Sequence, residues 1–187
     1  MKRIIFAAAI AATCATLAYS AAERTVAGPA QVIDGDSLVV SGVRIRILDV
    51  DAPESGQFCF TKGESVDQGA WHCGKRATAA LSDRIGAQKV SCDMTGQGIH
   101  KGWLARCSVD GQDLAQWLAA SGWAVPAPEC KCEVVRSAAD QARTAGLGIW
   151  SSDFTMPWEY RSNGFPADRE TARRRSGRSV RRRCCMA

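Results

Sequence analysis

The chain has 187 residues, 46% hydrophobic and 23% charged, a globular composition long enough for one domain of ordinary size with a real core; disorder throughout, collagen and coiled coil are excluded. The net charge of +5 is unevenly spread: Lys2 and Arg3 open the chain, residues 161–187 hold nine arginines against Asp168 and Glu170, and of the 24 basic and 19 acidic residues that leaves thirteen and seventeen in between. A domain that grips nucleic acid over a broad face carries the opposite sign, so polyanion binding has to rest on a local site or on the tail.

Met1-Lys2-Arg3, an apolar run from Ile4 to Leu17 and the small residues Ala18, Ser20, Ala21 and Ala22 read as a secretory signal peptide over residues 1–22. The run is too short for a membrane anchor, and no other stretch is long or apolar enough to span a bilayer. A secreted or periplasmic location is expected. Residues 23–160 then form one domain. Ala30 to Ile33, Ser37 to Val40 and Val43 to Val50 are β-rich runs broken by Asp34-Gly35 and Ser41-Gly42, the punctuation of an antiparallel meander.

His72 to Ile85 carries Ala77, Ala80, Leu81 and Ile85 at helical spacing. Lys89 to Met94 and Trp103 to Val109 read as a hairpin around Thr95-Gly96-Gln97-Gly98. Asp113 to Ser121 and Val134 to Ala145 read as two more helices, each stopped by a glycine, after which Leu147, Ile149 and Trp150 are expected to plug the core. The order is β-β-β-α-β-β-α-α.

Eight cysteines follow the signal segment, an even number in an exported chain, and disulfides are the default reading. The hairpin would bring Cys92 to Cys107, and the polar, Gly-containing loop between Cys59 and Cys73 calls for a staple, so those two are paired as well. Zinc held by Cys59, Cys73, His72, Cys130 and Cys132 is the weaker alternative, because the chain has no C-x2-C pair and oxidation competes for the thiolates. Cys184 and Cys185 could join Cys130 and Cys132 or a second chain; a monomer is expected.

Chemistry concentrates in Ile33-Asp34-Gly35-Asp36-Ser37 and in Arg44 to Glu54. On a strand, Arg44 and Arg46 share one face and Ile45 and Ile47 the other, so both guanidiniums meet something polar while the isoleucines enter the core. Carboxylates at strand ends suit a hard cation that wants oxygen ligands, and Glu54 next to them suits a base. Turn chemistry alone, Asp34-Gly35 as a hairpin turn and Ala52-Pro53-Glu54 as a loop start, is the plainer explanation.

These residues, Ile33-Asp34-Gly35-Asp36-Ser37 and Arg46 with Asp51-Ala52-Pro53-Glu54, resemble the signature of the staphylococcal nuclease (thermonuclease) family. Trp103-Leu104-Ala105, Gly122-Trp123-Ala124 and Gly146-Leu147-Gly148-Ile149-Trp150 follow in the family's order, so the resemblance covers nearly all of residues 30–152. The cysteine pattern resembles the family's exported bacterial branch.

The resemblance implies a mainly β, α+β fold, a five-stranded OB-fold barrel with three packed helices. It implies a Ca²⁺-dependent phosphodiesterase that cuts DNA and RNA and leaves 3′-phosphate ends. Asp36 and Asp51 would hold calcium through carboxylates and Ala52 through its backbone carbonyl. Glu54 would position or deprotonate the attacking water. Arg46 would bind the scissile phosphate.

The chain departs from the family at Gly98-Ile99-His100-Lys101-Gly102, where the family usually reads Asp-x-Tyr-Gly-Arg. The second catalytic arginine falls on Gly102, and Lys101 is the candidate substitute cation, one without a bidentate fork. The tyrosines that the family often places against the substrate phosphate are absent from Pro126-Ala127-Pro128-Glu129-Cys130.

Two readings follow. One is a secreted nuclease, weakened or altered; the other is a catalytically silent nuclease-like module that binds an anionic polymer or a protein, such as an accessory to exopolysaccharide biosynthesis or export. The runs Arg173-Arg174-Arg175 and Arg181-Arg182-Arg183 lie in an expected disordered tail, residues 161–187, either as a solubilising end or as an electrostatic arm for nucleic acid or another polyanion.

Overall fold

In the N-terminal strand region the chain runs extended through Thr25–Gly28 (β1), bends at Pro29 and continues as Ala30–Val32 (β2). Ser37–Val40 (β3) and Val43–Ile47 (β4) complete the meander, with Leu38, Val40, Ile45 and Ile47 buried by the alternation that the sequence pattern gives them. The computed structural model describes residues 24–64, 66–98 and 102–163, so the segment expected to be a signal peptide, Lys101 and most of the Arg-rich tail lie outside the described residues.

The expected strand over Val43 to Val50 is interrupted. Asp49 takes a left-handed φ of 72°, which ends β4 and starts a separate pair of residues, Val50–Asp51 (β5). Cys59–Thr61 (β6), a single turn at Val66–Gly69 (α1) and Ala70–Trp71 (β7) lead to the first long helix, Cys73–Ile85 (α2), which buries Ala77, Leu81 and Ile85. Val90–Gln97 (β8) and Trp103–Val109 (β9) form the expected hairpin.

Gln112–Asp113 (β10) precedes Leu114–Ala120 (α3), whose N-cap Asp113 accepts a hydrogen bond from the Gln116 backbone N–H at 2.9 Å. Val125–Pro126 (β11), Glu133–Thr144 (α4), a 3₁₀ turn over Gly148–Ser151, Ser152–Asp153 (β12) and Pro157–Asn163 (α5) finish the described chain.

The main sheet runs β1-β8-β9-β4-β3-β2, antiparallel except where β4 and β9 run parallel, with β10 on β9. Its two edges, β1 and β2, are one strand bent at Gly28-Pro29, so the sheet curls on itself and five strands make the OB-fold barrel. A side chain at Gly28 would overlap Ser41 at this bend. The fold is α+β, as expected. The three expected helices are present, and the one-turn α1 and the C-terminal α5 are additional.

Cys92 and Cys107 face each other in register across β8 and β9 and are bridged, and Cys59 of β6 is bridged to Cys73 at the start of α2. The zinc alternative is thereby removed, since two of its ligands are consumed; Cys130 and Cys132 are unbridged among the described residues. Ile149 is fully buried as expected, but Leu147 is 46% exposed: its carbonyl is pressed against Gly122, and its side chain turns out to solvent. Among the described residues no helix is long and apolar enough to cross a membrane.

Candidate active site

Asp36 sits in the loop between β2 and β3, where its backbone N–H donates to the Asp34 carboxylate at 3.1 Å, an Asx turn that aims its own side chain inward. Only 3% of Asp36 is exposed. One carboxylate oxygen accepts from the Ser37 hydroxyl at 3.0 Å, and the other accepts from the Ala52 backbone N–H at 3.0 Å. Burial pushes this carboxyl up to about 7, against the pull of Arg46 and the Ala52 N–H in the other direction.

Arg46 lies opposite Ser37 in the β3–β4 ladder, on the face away from buried Ile45 and Ile47, as strand alternation demands. Its Nη2 reaches Asp36 Oδ2 at 2.9 Å and Asp51 Oδ1 at 2.7 Å. Asp51 is held in place by β5, which pairs antiparallel with β11, Val125 facing Asp51. Two buried carboxylates therefore converge on one guanidinium nitrogen, an arrangement that compensates burial of charge by direct pairing.

Glu54 follows Pro53 in a turn closed by the Gln57 N–H on the Glu54 carbonyl at 2.7 Å. Helix α2 packs hard against that turn, because a Cβ on Gly74 would overlap the Glu54 carbonyl. Gln57 is fully buried: its side-chain carbonyl accepts from the Glu54 N–H at 3.3 Å and its amide donates to the Thr155 carbonyl at 2.6 Å. Nothing in the sequence pattern marks Gln57, since a lone glutamine in a loop reads as surface.

The sequence reading also missed the second guanidinium. Arg161, assigned there to a disordered tail, is carried by α5. The domain boundary expected at Tyr160 is passed by this helix, which the buried Phe154 and Met156 anchor just upstream. Arg161 donates from Nη1 to Asp51 Oδ1 at 2.8 Å and Glu54 Oε1 at 2.7 Å, and from Nη2 to Asp51 Oδ2 at 2.8 Å. Hydrogen bonds to Asp51, outweighing partial desolvation, hold its pKa above the ordinary arginine value.

All five residues expected in the site, Asp36, Arg46, Asp51, Ala52 and Glu54, are thus brought together. Gly102 is close to the Arg44 backbone and brings no side chain. Lys101 lies outside the described residues.

The donors have the right chemistry for calcium, hard anionic oxygens that already converge on a cationic nitrogen. Among the described residues no cluster of three or more metal-ligating His, Cys, Asp or Glu side chains occurs, so Asp36 and Asp51 would need the Ala52 carbonyl and water to complete a coordination shell.

Carboxylates and guanidiniums thus gather in one ion-pair cluster on a curled OB-fold-like sheet. The chain belongs to the staphylococcal nuclease homologues, whose family model matches residues 44–152. It is 34% identical over 146 residues to the succinoglycan biosynthesis protein ExoI of Rhizobium meliloti (strain 1021), covering 76% of this chain and 73% of that protein. Asp36 and Arg161 both lie outside the family-model match. The two disulfides fit an extracellular or periplasmic environment.

Proposed function

We propose that this chain is an exported phosphodiesterase that hydrolyses DNA or RNA, with calcium as its cofactor, at the site formed by Asp36, Arg46, Asp51 and Glu54. The observation that carries the reading is the convergence of Asp36 and Asp51 on Arg46, with Glu54 beside them and one-third exposed at the water side. Arg46 is 36% exposed, and its Nε and Nη1 have no hydrogen-bond partner among the described residues, so one edge of the guanidinium can take a phosphate oxygen.

Glu54 accepts the proton of the attacking water as the water oxygen bonds to phosphorus. The bond from phosphorus to the 5′ oxygen breaks, that oxygen takes a proton from solvent water, and a 3′-phosphate end remains. Arg46 meets the negative charge that grows on the phosphoryl oxygens. Calcium, when held by Asp36, Asp51 and the Ala52 carbonyl, supplies Lewis-acid polarisation of the same group. The Arg-rich tail adds non-specific attraction for the polyanion, which the acidic domain lacks.

A zymogram of the mature chain on DNA and on RNA, with calcium and with chelator, tests this. Clearing that needs calcium and falls at least about 10²-fold in Glu54→Gln is the expected result. Calorimetry should show Asp36→Ala binding calcium more weakly than the parent; equal affinity would remove Asp36 from the metal site.

The relative's printed role in succinoglycan biosynthesis, together with the glycine at position 102, favours a second reading, a silent nuclease-like module serving exopolysaccharide biosynthesis or export. No clearing under any metal condition, from a folded chain, would select it.

A further inference from the structure

We propose that Arg161 is the second guanidinium of this site: α5 delivers it to Asp51 and Glu54, and it binds the substrate phosphodiester from the side opposite β4. The proposal rests on the phosphodiesterase reading of the site and names one more of its substrate-binding residues. Its first ground is placement. Gln57 ties the Glu54 turn to the Thr155 carbonyl just before α5, and the Tyr160 hydroxyl donates to the Gly56 carbonyl at 3.1 Å, so the chain is pinned at two points leading up to the residue the helix presents.

The second ground is charge. On the barrel side Arg46 pairs with Asp36 and Asp51, and Glu54 has no ion pair there among the described residues, so without Arg161 three carboxylates stand against one guanidinium. An incoming phosphodiester would be repelled by that balance, and Arg161 removes one charge of the excess. Its three charge-assisted hydrogen bonds are of the strong kind, yet 40% of the side chain is exposed, so a face remains open to an anion.

The third ground is competition. Arg161 takes both oxygens of Asp51, one of the two carboxylates that converge on Arg46. A divalent cation that claims Asp51 loosens this fork, and the freed N–H groups then point toward the bound phosphate. The guanidinium that position 102, just before β9, does not supply is supplied from the C-terminal helix instead.

The test is calorimetric titration of the full mature chain and its Arg161→Ala and Arg161→Lys variants, first with calcium alone. The second titrant, in saturating calcium, is a thymidine dinucleotide joined by a methylenephosphonate, which carries the diester charge and cannot be cleaved at that bond. Circular dichroism checks that each variant is folded; Arg161→Lys keeps the charge if the alanine variant fails that check.

Arg161→Ala should bind calcium several-fold more tightly, having lost the competitor, and the dinucleotide about tenfold more weakly, the scale of one charge-assisted hydrogen bond. Arg161→Lys should lie between variant and parent for the dinucleotide, because an ammonium lacks the fork. A merely structural arginine would weaken both titrations together or neither. Either result overturns the proposal, and so does a parent that does not bind the dinucleotide. An Arg161-dependent affinity in a chain that cleaves neither DNA nor RNA would refute the hydrolase reading while leaving Arg161 in the anion site.

Discussion

Position 102 is where this chain lacks the second arginine of the pattern it resembles, and the geometry there is permissive. Gly102 has no left-handed φ, and a Cβ added to it would meet the Arg44 carbonyl at 3.5 Å and the Arg44 side chain at 3.7 Å, ordinary contact distances. In the parallel ladder Leu104 lies beside Arg46, and Gly102 is two residues back, immediately before β9. Gly102→Arg should therefore fold and bring a guanidinium toward the outer edge of Arg46. Alone, a restored donor is worth about 10²-fold in turnover.

Arg161 changes that expectation. Two groups that serve one phosphate are not additive, so the gain from Gly102→Arg should be small in the parent and about 10²-fold in the Arg161→Ala background. Initial rates of DNA hydrolysis for the four chains of this cycle measure it. Equal gains in both backgrounds would mean that the two positions act on different parts of the substrate.

Among the elements, those with a full period of pattern were legible in the sequence. Ser37–Val40 was bounded to the residue, because Asp34-Gly35 and Ser41-Gly42 stop it on both sides, and the hairpin of β8 and β9 put Cys92 opposite Cys107. The break in Val43 to Val50 was not legible: the run hides a left-handed Asp49, which is held by partners distant in sequence, Arg106 at 3.1 Å on its carboxylate and the Ala127 N–H at 3.0 Å on its carbonyl. Helix α5 was hidden for the same kind of reason. Its seven residues are too few for a periodic stripe, and what orders it is contact with residues about a hundred positions earlier.

The site divides along this line. Asp36, Arg46, Asp51 and Glu54 sit in one local motif and could be found by it, whereas Arg161 and Gln57 join through tertiary contacts that leave no local trace. The disulfide from β6 to α2 belongs to the same scale. It fixes the start of α2, where Gly74 meets the Glu54 turn, so replacing Cys59 and Cys73 together by serine should cost about 2 to 4 kcal/mol. Urea unfolding monitored by tryptophan fluorescence would show it. The same change at Cys92 and Cys107 should cost a similar amount of stability with less effect on activity, since that bridge lies within the hairpin, away from Glu54.

At the scale of the whole molecule, the site is a seam between the start of the barrel and the end of the chain. The carboxylates come from the loop after β2, from β5 and from the turn that follows it, and the closing guanidinium comes from beyond the family-model match. Gln57 is the stitch between those parts. It is fully buried, and it satisfies at once the Glu54 N–H and the Thr155 carbonyl, groups just over a hundred residues apart.

Replacing Gln57 by leucine keeps the volume close and removes both polar partners. The Thr155 carbonyl would be left buried without its donor, a loss of about 1 to 3 kcal/mol. The consequence for function should be larger than for stability, because Glu54 and α5 are released together and the two halves of the site lose their common reference. Gln57→Leu should thus unfold at lower urea with an unchanged slope, and should lose cleavage of DNA well beyond what its folded fraction explains. Gln57→Glu, whose carboxylate can still accept from Glu54 N–H but has no amide to donate to Thr155, should keep less stability than the parent and also lose cleavage. If Gln57→Leu cleaves at the parental rate per folded molecule, the seam is held by α5 packing alone, and the coupling assigned to Gln57 is wrong.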